Sequence, residues 1–552
     1  MYRQLLCTLL LSLLALSPAF AQSEIVVDDA AVSGDVTWTA DNTYVLDGFV
    51  FVEDGSSLTI EAGTVVKGKP GQGENAAALI VARGGKIFAN GTPANPIIFT
   101  AEADDVTDPD DLPLDARGLW GGVLIHGKAD LNSTPGETTV EGIPTSEPRG
   151  TYGCGVTMTC DNEDNSGVFR YVSIRHGGSD IGAGNEINGL SMGGVGSATT
   201  IEFIEVFNNQ DDGFEWFGGT VNTRYLVSAF NGDDAFDIDE GFRGKGQFWF
   251  AIQDAETANR GCECDGGTDP EDGTPFTIPT ILNATFLGSG ASSANADNDH
   301  AMILRDNAGG KWYNSVFHDF VGTAVEIEDL ASGEDSRARL EAGDIVLAGN
   351  IYGSFGGGLS EDAWAADYLT AAAQNNRTVD PQLRGISRTN DGGLDPRPAA
   401  GSPALSGALD IGDSWFVDTE YVGAFGDVNW AADWSFIADV GVLTTAGAGN
   451  PDVETAIEPV DGEIPAHFAL AQNYPNPFNP ATTIAFTLNR TQDVTLSVYN
   501  ILGRQVGTLI DGMQPAGTYE VPFDGSGLAS GTYLYVLQTE NQVAVRKMSL
   551  IK

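Results

Sequence analysis

The sequence feature that most constrains the fold is a repeat of 22 residues between Ile201 and Gly241. Asp212-Gly213-Phe214 in the first copy matches Asp234-Ala235-Phe236 in the second at this step. Short apolar runs precede both copies, and Gly, Asn and Asp mark the turns. A period in the twenties with strand-like runs is typical of a solenoid, whose coils bury their apolar faces against one another. We therefore predict a right-handed parallel β-helix.

The first 21 residues have the pattern of an export signal. Arg3 is their only charged residue, Leu5 to Leu16 is a short apolar run, and Ala19-Phe20-Ala21 is a small-x-small cleavage pattern. No later apolar run is long enough to span a bilayer, so no transmembrane helix is expected after the signal is removed. Residues 1–21 are therefore predicted to be a signal peptide, and the mature protein to be secreted or on the outer cell surface.

The mature chain is predicted to be all-β and to contain two domains. Residues 22–445 form the β-helix solenoid, with a capping helix near 361–374 that begins after Ser360 as its N-cap. Residues 446–465 are an acidic linker containing Gly and Pro but no periodicity. Residues 466–552 contain alternating strands at the spacing of a small Ig-like β-sandwich.

Acidic residues dominate the charge of the chain. There are 77 Asp and Glu against 27 Lys and Arg, which gives a formal net charge of −50. Such a surface repels phosphates, so nucleic acid and anionic lipid are poor partners. Three explanations of the excess remain open: divalent cations, a high-salt habitat that screens the repulsion, and solvated Asp-rich turns.

Four cysteines remain after signal removal, namely Cys154, Cys160, Cys262 and Cys264. Export into an oxidising space favours disulfides over a zinc site, and no His accompanies these cysteines. A bridge between Cys154 and Cys160 closes a comfortable loop, whereas Cys262 and Cys264 are too close in sequence for an easy mutual bridge. Cross-pairing of the first two cysteines with the last two is the alternative, and it would join two neighbouring side loops.

The repeated aspartates are the candidates for chemistry. If Asp212 and Asp234 lie in neighbouring coils, two carboxylates at a suitable separation could act as acid and base. In a calcium-dependent lyase, Arg243 or Lys245 would be the candidate base. Stacked like charges repel unless a cation or hydrogen bonds intervene. Hard oxygen ligands of this kind suit calcium, the one cofactor we consider. The candidate calcium ligands are Asp211, Asp212, Glu215, Asp233, Asp234 and Asp237.

The C-terminal segment resembles the type A C-terminal sorting domain of the type IX secretion system of Bacteroidota. The resemblance depends on Asn473-Tyr474-Pro475-Asn476-Pro477-Phe478-Asn479-Pro480, on Val498-Tyr499-Asn500-Ile501-Leu502-Gly503 and on the basic finish Arg546-Lys547-Met548. It implies that the type IX secretion machinery is a partner and that the domain directs folded cargo across the outer membrane.

The segment from about Asp35 to Phe436 resembles secreted right-handed parallel β-helix proteins of the same bacteria. The matching phrases are Glu205-Val206-Phe207-Asn208-Asn209 and Gly232-Asp233-Asp234-Ala235-Phe236-Asp237. This resemblance implies fold and location but no reaction. We therefore expect an exported binding or structural module that engages glycan or a cell-surface layer. The alternative is a polysaccharide-active lyase or hydrolase that uses the stacked aspartates.

Overall fold

A computed structural model describes most of the chain after the signal segment. The described residues are 23–29, 32–182, 185–267, 270–331, 334–451, 469–470, 472–473, 476, 478–488, 492–500, 504–514, 517–525, 528–539 and 543–552. The predicted signal peptide, and the predicted linker from residue 452 onwards, lie outside these ranges. The chain divides into two compact units, the first ending at Gly449 and the second beginning at Asn450. The boundaries given above for the domains remain predictions.

One long parallel sheet runs through the first unit, and each of its nine strands belongs to a different coil. The short strands rich in Val, Ile and Phe predicted from the sequence suit this sheet, because one of its faces is buried in the solenoid. We call it the nine-stranded sheet. Its strands are Phe49–Val52, Ala78–Val81, Val123–His126, Leu190–Gly193, Phe214–Phe217, Phe236–Asp239, Glu263–Asp265, His300–Arg305 and Thr323–Ile327.

Eighteen further strands, also parallel to their neighbours, form the other walls of the solenoid. The nine-stranded sheet and these walls together confirm the predicted parallel β-helix. The eighteen strands are Ser23–Val27, Asp35–Trp38, Asn42–Leu46, Ser57–Ile60, Val65–Gly68, Lys86–Asn90, Ile97–Ala101, Gly167–Arg175, Thr200–Phe207, Asn222–Ala229, Lys245–Ile252, Thr280–Leu282, Thr285–Leu287, Gly310–Tyr313, Val316–His318, Ile345–Ala348, Ile351–Tyr352 and Arg377–Thr378.

Stacked aromatic rings fill the inside of the solenoid near the repeat. Phe214 and Phe236 occupy paired positions in neighbouring coils, with ring centroids 5.4 Å apart and planes inclined by 18°. Trp216 stacks on Trp249 at 4.8 Å. All four side chains are buried, and burying such large rings is the main stabilising term for a coil that cannot form a core alone.

A second aromatic ladder lies outside the solenoid wall. Phe203, Tyr225 and Phe248 stack in successive coils, with centroids 4.3 and 4.9 Å apart, and each has a positive φ between 55 and 60°. The left-handed conformation bends each long strand at the same position. The stacking of the aromatic rings offsets the free-energy cost of this backbone conformation. Trp430 and Trp434 cover this ladder edge-on.

Helices are short and peripheral. They are Ser336–Ala342, Ala363–Thr370 and Phe436–Asp439, with 3-10 turns at Gly73–Asn75, Pro148–Gly150, Ala372–Gln374 and Pro403–Leu405. None of the helices in the described ranges has the length and apolarity needed to cross a membrane. The prediction that Ser360 is the N-cap of the second helix is wrong, because Asp362 occupies that position. Ser360 Oγ instead donates a hydrogen bond to Glu326 at 3.2 Å.

Three two-stranded antiparallel pairs lie outside the walls of the solenoid. They are Glu137–Thr139 with Thr151–Gly153, Asp180–Gly182 with Asn185–Glu186, and Leu383–Gly385 with Asp395–Pro398. The first pair lies in the segment that connects the solenoid strands Val123–His126 and Gly167–Arg175. Tyr152, in that pair, is buried beside the ring of Phe217 at 5.7 Å, so this loop packs against the nine-stranded sheet.

The second unit contains two antiparallel sheets, as expected for the predicted small β-sandwich. One sheet holds Ala469–Leu470, Ala481–Leu488 and Gly517–Asp524, and the other holds Gln492–Asn500, Gln505–Gln514, Gly531–Thr539 and Val543–Leu550. Alternating residues of both sheets, among them Phe486, Leu496 and Tyr535, are buried in one core. This unit therefore has its own hydrophobic core.

The four cysteines form one disulfide and two free thiols, so the alternative of cross-pairing is wrong. Cys154 and Cys160 form a disulfide with Cα atoms 4.9 Å apart. Cys262 and Cys264 were candidates for cross-pairing, but they are free and buried in the core, with Sγ atoms 3.2 Å apart. The reason is strand alternation: Glu263–Asp265 belongs to the nine-stranded sheet, so Cys264 points inward. The loop on this side of the solenoid therefore begins only after Asp265.

Candidate functional site

The acidic residues of the repeat lie on the outer face of the nine-stranded sheet. Phe214 and Phe236 point into the core, so their neighbours Glu215 and Asp237 point outward. Glu215 pairs with Asp237, and Asp237 pairs with Glu263 in the following coil. Because neighbouring strands lie about 4.8 Å apart, carboxylates from three successive coils form one row.

The aspartates before these strands cap the turns of the next coil. Asp212 Oδ1 accepts the backbone N–H of Asp234 at 2.8 Å, and Asp234 Oδ1 accepts that of Arg260 at 2.5 Å. One coil earlier, Asn188 Oδ1 accepts the N–H of Asp212 at 3.2 Å. Asp212 and Asp234 therefore lie one coil apart, and their hydrogen bonds explain why Asp recurs at this step.

Five carboxylates converge where the turns meet the row. Ligand oxygens of Asp211, Asp212 and Asp233 lie within 4.8 Å of one another, and so do those of Asp212, Glu215 and Asp237. We call these five residues the acidic cluster. Asp212 and Glu215 are buried, whereas the other three are partly exposed. The cluster therefore combines deep ligands with a side open to solvent.

Burial makes charge on this cluster costly. It raises the pKa values of Asp212, Glu215 and Asp237 well above the usual range, and neighbouring carboxylates add to the effect. Burial and the charge of Asp233 raise the pKa of Asp211 to about 8. The cluster is therefore protonated or neutralised by a cation near neutral pH.

In the described part of the chain, no side-chain cation neutralises the inner part of the cluster. Among the residues that the structure describes, no Lys, Arg or His forms an ion pair with Asp211, Asp212, Glu215 or Asp237. Asp237 Oδ1 is buried and accepts no hydrogen bond from the described chain. A buried carboxylate oxygen without a donor is unfavourable unless something else supplies positive charge.

Arginines neutralise the carboxylates of the next coils instead. Arg260 Nη1 lies 3.0 Å from Glu263 Oε2 and 4.0 Å from Asp234 Oδ2. Arg305 Nη2 lies 2.5 Å from Glu263 Oε1, and its Nε lies 2.8 Å from Asp265 Oδ1. Asp234, predicted as a calcium ligand, therefore contacts the arginine-paired part of the face. Sequence reasoning missed Arg260, because a further step of 22 residues from Asp234 reaches Glu256 instead.

Arg243, the predicted base, is not beside the aspartates. Asp234 precedes the strand Phe236–Asp239 and Arg243 follows it, so the two side chains lie at opposite ends of that strand. The guanidinium of Arg243 instead forms an ion pair with Asp130 and donates to the carbonyl oxygen of Gly241 at 2.7 Å. The structure therefore brings the aspartates together but leaves this cation out.

Two clefts in the first unit lie elsewhere. The larger, about 740 Å³, is lined by residues 70–72, 101–103 and 118–119. The smaller, about 230 Å³, is lined by residues 282–283, 314, 408–411, 413 and 416–419. Neither cleft includes a residue of the acidic cluster.

The predicted sorting motif is built into the second unit. Asn473 is buried, its N–H donates to Tyr535 Oη at 2.8 Å, and its Nδ2 donates to Thr482 at 2.9 Å. Phe478 lies in the core of the sandwich, and Asn476 Oδ1 accepts the N–H of Ser549 at 2.9 Å. Asn479 and Pro480 are also described, whereas Tyr474, Pro475 and Pro477 lie outside the described residues.

Comparison with known families gives two matches. Residues 30–354, more than half of the chain, match the family described as pectate-lyase like beta helix domain. Residues 472–552 match the secretion system C-terminal sorting domain. No curated protein and no solved structure matches the chain.

Proposed function

We propose, from the premise that this chain belongs to the family of pectate-lyase-like β-helix domains and ends in a type IX sorting domain, that it is an exported binding or structural protein whose acidic cluster holds Ca²⁺. The sorting domain directs export, so the protein is secreted or attached to the cell surface. The observation that carries the calcium proposal is the convergence of Asp212, Glu215 and Asp237 around a buried oxygen without a donor.

The donor set favours calcium among the common cations. Ca²⁺ takes six to eight oxygen ligands at about 2.3–2.6 Å and tolerates irregular geometry, whereas Mg²⁺ demands a near-ideal octahedron. Oxygens within 4.8 Å of one another can all contact one such ion. Asp211 and Asp233 lie at the partly exposed side of the cluster, where an ion would enter.

Asp212 and Asp234 are poor candidates for acid and base. One oxygen of each carboxylate already accepts a backbone N–H, and Asp234 is only 2% exposed. A general acid or base must reach the substrate atom with which it exchanges a proton. These observations support a structural or ligand-holding role for both residues.

A polysaccharide-active enzyme remains the second candidate, because one observation favours it. Arg260 lies beside Asp234 and Glu263, so a basic group does accompany two carboxylates on this face. Incubation with acidic and neutral polysaccharides tests this candidate. Turnover by the native protein that disappears in Asp212→Asn and Asp234→Asn would establish this candidate. Turnover in both variants equal to that of the native protein would exclude these two residues from catalysis.

The calcium proposal is tested by titration of the chelator-treated protein with CaCl₂. We expect heat of binding and a rise in melting temperature for the native chain, and a much weaker response for Asp237→Asn. Asp54→Asn is the matched control, because its side chain is 80% exposed and lies outside the cluster. An Asp237→Asn protein with the native calcium response would overturn the proposal.

The external ligand of the solenoid is proposed to be glycan or a cell-surface layer. The supporting observation is the length of the solenoid, whose stacked coils present long, regular outer walls. Pull-down of the exported protein on immobilised acidic and neutral polysaccharides tests the idea. Absence of retention on every glycan, together with absence from isolated cell envelopes, would refute it.

A further inference from the structure

The smaller of the two clefts lies beneath an arch of the chain on the outside of the solenoid. The arch is the segment 408–419, which forms neither helix nor strand. The wall below it contributes Asn283 and Asn314, which follow the strands Thr280–Leu282 and Gly310–Tyr313. These two strands pair with each other in neighbouring coils. The cleft, about 230 Å³ in volume, therefore spans two coils of the wall.

Two side-chain amides of the wall hold the arch at two points. Asn314 Oδ1 accepts the N–H of Leu409 at 2.8 Å, and its Nδ2 donates to the carbonyl oxygen of Leu409 at 2.9 Å. Gln247 makes the same pair of hydrogen bonds with Val417, at 2.9 and 2.8 Å. Both amides are buried. The arch is therefore fixed to the wall near both of its ends, and the cleft between these points is formed before a ligand binds.

The lining of the cleft combines apolar surface with hydrogen-bond acceptors that the protein leaves unused. Leu409 and Phe416 contribute apolar surface. Asp410 Oδ1 accepts the N–H of Gly412 at 2.7 Å, which leaves Oδ2 for a ligand. Asp418 is exposed, and no described residue donates a hydrogen bond to its carboxylate or forms an ion pair with it. Apolar walls with a few polar groups at fixed positions are the usual composition of a small-molecule site.

The charge around the cleft is negative. Asp413, which also lines it, is neutralised because its Oδ2 lies 2.5 Å from Lys245 Nζ. Asp410 and Asp418 have no such partner in the described part of the chain, so the cleft repels acidic ligands. Among the described residues, the groups of three carboxylates with oxygens within 4.8 Å of one another lie elsewhere. The carboxylates of the cleft are therefore placed to accept hydrogen bonds from separate hydroxyl groups rather than to surround one cation.

We propose that this cleft binds one ring of a non-acidic sugar. The hydroxyl groups of the ring donate charge-assisted hydrogen bonds to Asp410 and Asp418, and its C–H face packs against Phe416. Sites for drug-sized ligands begin at about 300 Å³, so a cleft of about 230 Å³ suits a single ring rather than a longer chain. The inference rests on the proposed glycan ligand of the solenoid, for which it names the binding place and the class of sugar.

The experiment measures the binding of free sugars to the full exported chain in chelator, by saturation-transfer NMR and calorimetry. The probes are glucose, galactose, mannose and N-acetylglucosamine, with glucuronate as the acidic counterpart. We expect at least one neutral sugar to bind and glucuronate not to bind. Asp418→Ala should weaken the binding of the neutral sugar by about tenfold, because it removes a hydrogen bond to a charged group. Asp433→Ala is the matched control, since Asp433 is exposed and does not line the cleft.

A second variant tests the charge of the cleft with little change in shape. Asp410→Asn keeps an oxygen for the N–H of Gly412, so the double variant with Asp418→Asn should bind the neutral sugar more weakly and admit glucuronate. Equal binding of the neutral sugar by the native and Asp418→Ala proteins would overturn the inference, and so would the absence of binding of every neutral sugar by the native chain. Failure of the glycan proposal is separate, because it is read from the retention of the native chain on immobilised polysaccharides.

Discussion

Replacing Asp237 by Asn should have opposite effects on stability with and without calcium. Asp237 lies in the middle of the outward row, between Glu215 and Glu263, and its Oδ1 is buried without a donor. In chelator the native side chain must be either charged among carboxylates or protonated. Asn has nearly the same shape but never carries the charge, so the variant should be the more stable protein in chelator.

The size of this gain follows from the pKa difference between the folded and unfolded states. The unfolded pKa is 3.8, and burial with the charges of Glu263 and Asp265 raises the folded pKa well above it. A carboxyl that stays protonated at about pH 7 therefore costs roughly 4 kcal/mol as an upper bound. Relaxation and water penetration reduce this, so we expect a gain of about 1–3 kcal/mol. At about pH 4.5 the same calculation leaves less than about 1 kcal/mol.

Calcium should reverse the order. Binding to the native cluster at one hundred times the dissociation constant stabilises it by about 2.7 kcal/mol, whereas the variant has lost a charged ligand. The assay is calorimetric melting of native, Asp237→Asn and Asp54→Asn proteins, each in chelator and in CaCl₂, at two pH values. A variant less stable than native in chelator at neutral pH, with an undiminished calcium response, would refute the reasoning.

Three further predictions follow from other contacts. In chelator the melting temperature should fall as pH rises from about 4 to 8, because Asp211 and Asp239 have pKa values of about 8 in the folded protein. Over this range the folded protein retains protons that the unfolded chain releases, so the free energy of unfolding decreases. A melting temperature that does not change with pH would contradict this prediction. Glu205→Gln should destabilise by about 1–3 kcal/mol in chemical unfolding, because the buried carboxylate accepts the N–H groups of Phe436 and Ile437 at 2.7 and 2.9 Å. Cys262 and Cys264 should not react with a thiol reagent in the native protein but should give two thiols per mature chain after unfolding.

The repeat predicted the arrangement of the central coils well. A constant step of 22 residues places equivalent residues in register, so Phe214 meets Phe236 and Asp212 meets Asp234 without further information. The outward direction of Glu215 and Asp237 follows from alternation once the phenylalanines are assigned to the core. These parts were predictable because neighbouring coils of equal length repeat the same local geometry.

The failures occurred where coil length changed. Arg260 lies 26 residues after Asp234, so no fixed step indicates it, and only the paired backbone shows the contact. Arg243, the predicted base, is separated from Asp234 by the strand Phe236–Asp239, which carries the chain across the sheet.

The acidic cluster can become neutral in two ways, and they compete. Protons neutralise it when no cation is present, because burial raises the pKa of Asp211 to about 8 and raises the pKa values of Asp212 and Glu215 well above their usual range. Ca²⁺ binding must displace those protons, since its ligands are ionised carboxylates. Titration with CaCl₂ at about pH 7 should therefore release protons, and the heat should depend on the ionisation enthalpy of the buffer. A row of carboxylates that only caps turns would release none, so proton release separates a cation site from a purely structural ladder.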